Sequence, residues 1–241
     1  GVGYVAVHLQ HIGSDDGVWK TARGLQKILA LKKATADVRN SINRPKDVSF
    51  AIDELTRMNV SHKVLKGRLD LRRIGVGGHS YGGYTALAIA GQNYTRGKTG
   101  DGRDNRVLAA IQMSAPVPSE RIRGYAYDTI SIPMFHMTGT KDESPINSTT
   151  AAERRIPFDR TKGEACFLNF KDGDHAIFSG RKRLLRTAQQ QDAIFHRHIC
   201  RSSTAFWDGY LKGDKSARKW LFGGGFKQEL GGAGVFETRA R

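Results

Sequence analysis

Three residues have the types and the order that nucleophilic catalysis uses. Ser80 lies in Gly78-His79-Ser80-Tyr81-Gly82, Asp142 in Gly139-Thr140-Lys141-Asp142-Glu143-Ser144-Pro145, and His175 in Asp172-Gly173-Asp174-His175-Ala176-Ile177-Phe178. A serine hydroxyl attacks well only when a base takes its proton, and that base needs a carboxylate to orient it. As a bare pattern Gly-x-Ser-x-Gly recurs by chance. Here it follows Arg73-Ile74-Gly75-Val76-Gly77, which reads as a short buried strand, and precedes Tyr84–Ala90, which reads as a small-residue helix. A serine at such a turn needs glycines on both sides, because the backbone is strained and the flanking elements approach closely. The turn would aim the Tyr81 amide at the space before the hydroxyl, as an oxyanion donor. The plainer reading is a tight turn with an exposed serine.

On an open parallel sheet the base and the acid should sit on loops at the carboxyl ends of later strands. Asp142 follows a strand ending at Gly139, and His175 one ending near Phe170; the chain order Ser80, Asp142, His175 is the one such an architecture uses. Glu143 is one residue further from the strand end. Asp172 and Asp174 suit shaping the turn before His175 through local side-chain to backbone bonds. His136 alternates within a strand and reads as core, while His79 reads as packed beneath the elbow. His196 and His198, two apart on a helix, face different ways. His8 and His11 precede Asp15-Asp16, but their spacing matches no metal motif, and no metal or organic cofactor is expected.

The elements that must position these groups alternate between strand and helix, which implies an α/β fold with a mostly parallel sheet and helices on both faces. Tyr4 to Gln10 reads as a buried strand, followed by a polar turn at 11–16. Residues Val18 to Asn43 read as a basic excursion containing helix. Pro45-Lys46-Asp47 opens an amphipathic helix with Val48, Ala51, Ile52, Leu55 and Met58 on one face. Further strands are predicted at Val107–Met113, Ser131–Gly139 and Ala165–Phe170, joined by loops over Gly91–Arg106 and Pro116–Thr129. A long helix is predicted from near Leu184 towards Tyr210. No internal repeat or low-complexity linker appears, so a single domain over 1–241 is the economical organisation.

The 241 residues are 39% hydrophobic and 26% charged, enough for one sizeable core, and no apolar run approaches a membrane span. The charge is lopsided: 39 Lys and Arg against 23 Asp and Glu leave +16. Clusters at Lys32-Lys33, Arg154-Arg155, Arg181-Lys182-Arg183 and after Lys212 could steer anions or hold an acidic partner, or be an inert basic surface. No nucleic-acid-binding signature accompanies them, so no specific nucleic-acid partner is expected. Cys166 in a predicted strand and Cys200 in a predicted helix are either bridged or two buried thiols. The chain starts Gly1-Val2-Gly3-Tyr4 without methionine or signal-peptide pattern, so an upstream segment removed on export, or simply not included in this sequence, is expected, and the two fit equally.

The run from Tyr4 to about Gly232 resembles the α/β-hydrolase superfamily, in particular dienelactone hydrolase-like and platelet-activating-factor-acetylhydrolase-like esterases. The motifs that carry the likeness are His11-Ile12-Gly13-Ser14-Asp15, Arg44-Pro45-Lys46-Asp47-Val48, Gly78-His79-Ser80-Tyr81-Gly82-Gly83, Met137-Thr138-Gly139-Thr140-Lys141-Asp142 and Gly173-Asp174-His175. The resemblance implies Ser80 as nucleophile, His175 as base then acid, Asp142 as its orienting carboxylate, and the Tyr81 amide as one oxyanion donor. Dienelactone hydrolases proper use a cysteine where this chain has Ser80, which favours ester hydrolysis. In the superfamily the second oxyanion amide follows a strand lying between the elbow strand and the one that Tyr4–Gln10 resembles. The sequence has no counterpart for it or for the two strands before it. An N-terminal segment outside this sequence, or a different strand pairing, is therefore expected.

These readings together predict a serine hydrolase of short acyl or aryl esters, a small-molecule substrate lying against Tyr81, Ile146 and Phe178. Two other readings stay open: a serine peptidase with the same triad, and a non-catalytic binding protein on a hydrolase scaffold with a basic surface. Oligomeric state is not legible.

Overall fold

The computed structural model describes residues 3–12, 14–15, 25–94, 102–144, 146–180 and 186–240. Gly13, Asp16, Val18, Pro145, the basic cluster at 181–183, Leu184 and much of the glycine-rich loop, residues 95–101, lie outside them. The chain forms two compact units, Gly1–Ile74 and Gly75–Arg241.

The first unit is helical. Helix α1 (Leu25–Ala36) falls in the predicted basic excursion, and α2 (Val38–Ser61) follows at once. Pro45 does not open that helix, as the sequence suggested, but sits inside it. The start moves upstream because Asp37 is the cap: its carboxylate accepts the Arg39 amide at 2.9 Å. A proline supplies no N–H to the helix ladder, and here both Arg44 and Pro45 are buried, with Val48 and Ile52 on the same apolar face. The predicted strand at Tyr4–Gln10 is absent: those residues form neither strand nor helix, and Val5 is 61% and Val7 50% exposed. A strand needs a ladder partner for its backbone groups, and the described elements of this unit are helices. The turn after it does form. His11 is buried and sits 2.7 Å from Asp47 on α2, while Arg44 donates to Ser14 Oγ at 2.8 Å.

The second unit is an α/β sheet of five strands in the order β1-β2-β3-β4-β5. They are β1 (Ile74–His79), β2 (Val107–Met113), β3 (Met134–Lys141), β4 (Ala165–Asp174) and β5 (Gly234–Arg239). Strands β2, β3 and β4 run parallel, in registers that set Ile111 beside Phe135 and Phe135 beside Cys166. The closing strand β5 is antiparallel to β4 and was not foreseen. The elbow strand β1 is half-buried rather than buried, because it is an edge strand of the sheet.

Side chains alternate across the sheet with the period of two that a pleated strand imposes. Helix α3 (Tyr81–Ala90) covers one face, with Leu87 and Ala90 on Ala110 and Met134. Against the other face lie Phe195 and Phe206 of α6 (Arg186–Leu211), which packs with Ile111, Phe135, Met137, Leu168 and Phe170. Between them in sequence come two short helices, α4 (Glu120–Arg123) in the loop after β2 and α5 (Ile156–Arg160) after β3. Two more, α7 (Lys215–Phe222) and α8 (Gly225–Leu230), bring Leu221 and Phe226 into the same core. Each ring buried there contributes about 1.5–3 kcal/mol. This two-sided packing fixes the strand ends, and the candidate site hangs on those ends. Among the described residues no helix is long and apolar enough to cross a membrane.

Candidate active site

Strand β1 delivers Ser80 into a sharp turn before α3. Its backbone is at φ 57°, ψ −118°, a strained conformation for a residue with a side chain. Two hydrogen bonds hold it: the Ser80 amide donates to Met113 O at 2.8 Å, and the Tyr84 amide to Ser80 O at 3.1 Å. The glycines around it are not equivalent. A Cβ on Gly78 would collide with the backbone of Gly82, whereas a Cβ on Gly82 would meet open space.

Asp142 and His175 follow the ends of the parallel strands β3 and β4, so both emerge on the same side of the sheet. His175 opens a 3-10 turn (His175–Phe178) whose cap is Asp174, the carboxylate accepting the Ala176 amide at 2.9 Å. The turn-shaping part assigned to Asp174 is thus seen directly. Asp172 pairs with Lys141 at 2.8 Å, and Glu143 accepts the Ala151 amide.

The three groups meet in one chain of contacts. His175 Nε2 lies 3.0 Å from Ser80 Oγ, and His175 Nδ1 lies 2.8 Å from Asp142 Oδ1. An ionised carboxylate can only accept, so Nδ1 carries the ring proton and Nε2 is left free to accept from the serine hydroxyl.

Asp142 is fully buried, and every direction around its carboxylate is used. Oδ1 receives His175 Nδ1–H and lies 3.1 Å from Arg154 Nε; Oδ2 accepts Ser114 Oγ at 2.5 Å and Thr138 Oγ1 at 2.8 Å. Burial works against ionisation here. The bond from His175, the Arg154 charge and the Ser114 hydroxyl outweigh it and hold the carboxyl below the usual aspartate range. Ser114 reaches Asp142 from a left-handed backbone, φ 53°, at the end of β2.

Neither Ser114 nor Arg154 was singled out from the sequence. Ser114 carries no local motif. Arg154 reads as half of a basic surface pair, yet it is 2% exposed, whereas its neighbour Arg155 turns outward to Glu237 and Asp159. Thr138 does fall inside one of the motifs that carried the family resemblance.

The His79 ring lies 4.7 Å from that of His175 and 5.7 Å from that of Phe178, tilted to both. Burial, reinforced by the neighbouring His175, pushes its pKa down to about 4. It is therefore neutral near pH 7 and packs under the His175 ring. His136 is wholly buried in β3, as its alternation suggested. His196 Nε2 donates to Ile177 O at 2.9 Å, while His198 is buried beside Phe226.

The three residues expected to line a substrate differ in setting. Tyr81 stacks on Tyr84 at 5.4 Å, Ile146 is half-buried in the loop after Asp142, and Phe178 leans on Phe170 and His79. Cys166 is buried in β4 and Cys200 exposed on α6, and they are not bonded to each other. No protein-family model matches this chain, and no curated protein matches it, so its chemistry is argued from the site itself.

Proposed function

We propose that this protein is a serine hydrolase of the α/β-hydrolase type acting on carboxylic esters. The observation that carries the proposal is the continuous path Ser80 Oγ, His175 Nε2, His175 Nδ1, Asp142 Oδ1, with steps of 3.0 and 2.8 Å. Ser80 attacks the ester carbonyl as His175 Nε2 takes its proton, and Asp142 stabilises the imidazolium that forms. The tetrahedral oxyanion is met by the Tyr81 amide, the first of helix α3, where the helix dipole is positive. Collapse expels the alkoxide, which receives the proton back from His175. Water then repeats the sequence on the acyl-serine and frees the acid.

The α/β-hydrolase assignment rests on the motifs and on the order nucleophile, acid, histidine at the ends of β1, β3 and β4. Tyr81 is the one oxyanion donor identified among the described residues. An oxyanion donor of this kind is worth about 10²–10³ in kcat. Short acyl or aryl esters suit a site flanked by Tyr81, Ile146 and Phe178, because those side chains offer apolar and aromatic surface.

The deciding experiment is intact mass after treatment with a fluorophosphonate, on the parent and on Ser80→Ala and His175→Ala. One adduct on the parent that both variants lose is the expected result. A folded parent that takes no adduct overturns the reading and leaves a binding protein on a hydrolase-like scaffold.

A further inference from the structure

Arg154 occupies a position that a surface charge would not choose. Its side chain is 1% exposed, and its contacts run to three separate strand ends. Nη1 donates to Ser114 O at 2.7 Å and Ala115 O at 2.8 Å, just beyond β2. Nε donates to the Asp142 backbone carbonyl at 2.8 Å, just beyond β3, and lies 3.1 Å from that residue's own carboxylate. Nη2 stands 3.4 Å from His175 Nδ1, beyond β4. That last contact is no hydrogen bond. His175 Nδ1 already gives its proton to Asp142, and a guanidinium N–H is also a donor.

We propose that Arg154 is a positioning residue of the triad, a clamp that fixes the Asp142 carboxylate in the one orientation that serves His175. The proposal rests on reading Ser80, His175 and Asp142 as a hydrolytic triad. Three features point to this part rather than to a buried structural arginine. First, one planar fork binds both the main chain and the carboxylate of Asp142, so it sets the side-chain torsions as well as the loop. Second, the turn held by Nη1 is the turn whose Ser114 hydroxyl occupies the other carboxylate oxygen. Arg154 therefore acts on both oxygens, directly on Oδ1 and through Ser114 on Oδ2. Third, its charge balances a carboxylate that is itself buried, and an unbalanced buried carboxylate would drift to a protonated or rotated state.

Lysine cannot reproduce this. An ammonium is a point donor on a flexible stem and cannot span three carbonyls and a carboxylate in one plane. The groups facing Arg154 are Asp142 and His175 on the triad side, with Glu143 and Glu153 contributing charge nearby.

The test compares Arg154→Gln, Arg154→Lys and a control, Arg123→Gln, with the parent. Arg123 pairs with Glu153 at 2.7 Å and touches no triad residue, so the control removes a neighbouring ion pair and leaves the clamp. The readouts are hydrolysis of p-nitrophenyl acetate, the second-order rate of fluorophosphonate labelling, and the low-field proton resonance of the His175–Asp142 hydrogen bond, assigned by its loss in His175→Ala. Arg154→Gln is expected to lose about 100-fold in kcat with KM within about twofold, the cost of a misplaced catalytic group. Its low-field proton should broaden or vanish. Arg154→Lys should lose about tenfold, because it keeps the charge but not the fork. Arg123→Gln should keep parental rates and the resonance.

A folded Arg154→Gln with parental kcat and an unmoved resonance overturns the proposal while leaving the triad in place. Should Arg154→Gln not fold, Arg154→Lys decides alone, and parental behaviour there overturns the clamp as well. A parent that is not labelled at Ser80 overturns the triad reading and the clamp together.

Discussion

Gly139 on β3 and Gly173 on β4 pass so closely that a Cβ built on Gly139 would collide with the Gly173 backbone. Three residues after Gly139 comes Asp142, and two after Gly173 comes His175. The closeness of the two glycines therefore sets the 2.8 Å reach between acid and histidine. Gly139→Ala is expected to force the strand ends apart and to lower kcat by about 10²-fold, since displacements near 1 Å cost that much. Gly82→Ala meets open space and is expected to stay near parental activity. Comparing p-nitrophenyl acetate turnover of the two variants checks the pair; equal losses would show that the glycine contact is not what positions the triad.

Asp142→Asn keeps the shape of the side chain but supplies an amide that can turn an N–H towards His175. The ring would then adopt the tautomer with its proton on Nε2, facing the serine. A fall of about 10⁴ in kcat is expected with the fold intact. A fall below tenfold would mean that Asp142 does not hold the tautomer.

Ser114 separates two contributions to stability. Its hydroxyl serves Asp142, while its left-handed backbone, φ 53°, is strained. Ser114→Ala is expected to cost about 1–3 kcal/mol by leaving the buried carboxylate short of a donor, and to raise the Asp142 pKa. Ser114→Gly loses the same donor but relieves the strain, so it should be more stable than Ser114→Ala and equally slow. Chemical denaturation and ester turnover of the two variants decide between these effects.

His136 is expected to make the fold acid-sensitive. Gln112 Oε1 accepts the Ala115 amide at 3.0 Å, which turns its amide nitrogen to His136 Nδ1 at 3.2 Å. Nδ1 must therefore accept, and protonating it would break that bond. Burial is the larger cause, and the folded pKa falls to about 3 against 6.5 unfolded. The unfolded chain then binds the proton that the folded chain refuses, so stability falls as pH drops through 6.5 and continues falling to about 3. Between pH 7 and 4 the loss from this residue is on the order of 3 kcal/mol. His136→Leu should be less stable than the parent at pH 7, because Gln112 loses its partner, and should show a shallower decline in acid. Urea midpoints at both pH values measure this, and parallel declines in the two proteins would remove His136 as the cause.

Much of the site was legible because its signals are local. Glycine at 78, the strand before it and the small-residue helix after it announce the turn at Ser80 within a dozen residues. Asp142 and His175 were legible by their positions after β3 and β4. What went astray depended on partners. Tyr4–Gln10 has the alternation of a strand and forms none, because strand formation needs a ladder neighbour. Pro45 looked like a helix start, yet the Asp37 cap begins α2 seven residues earlier and the buried face carries the helix through the proline. Strand β5 was missed because Gly234–Arg239 becomes a strand only through its antiparallel pairing with β4.

The sequence by itself determined the turn chemistry, the strand periodicity and the placing of Ser80, Asp142 and His175 at the ends of successive strands, since each depends on residues close together in the chain. Only the tertiary structure decided what surrounds Asp142. Ser114 is 28 residues away, just past the end of β2, and Arg154 is 12 away, in the short 3-10 turn Ala152–Arg155 before α5. Nothing in Arg154-Arg155 distinguishes the buried guanidinium from the exposed one. That distinction arises where the ends of β2, β3 and β4 converge, because a buried carboxylate must gather its compensating charge and donors from whichever segments packing brings to it.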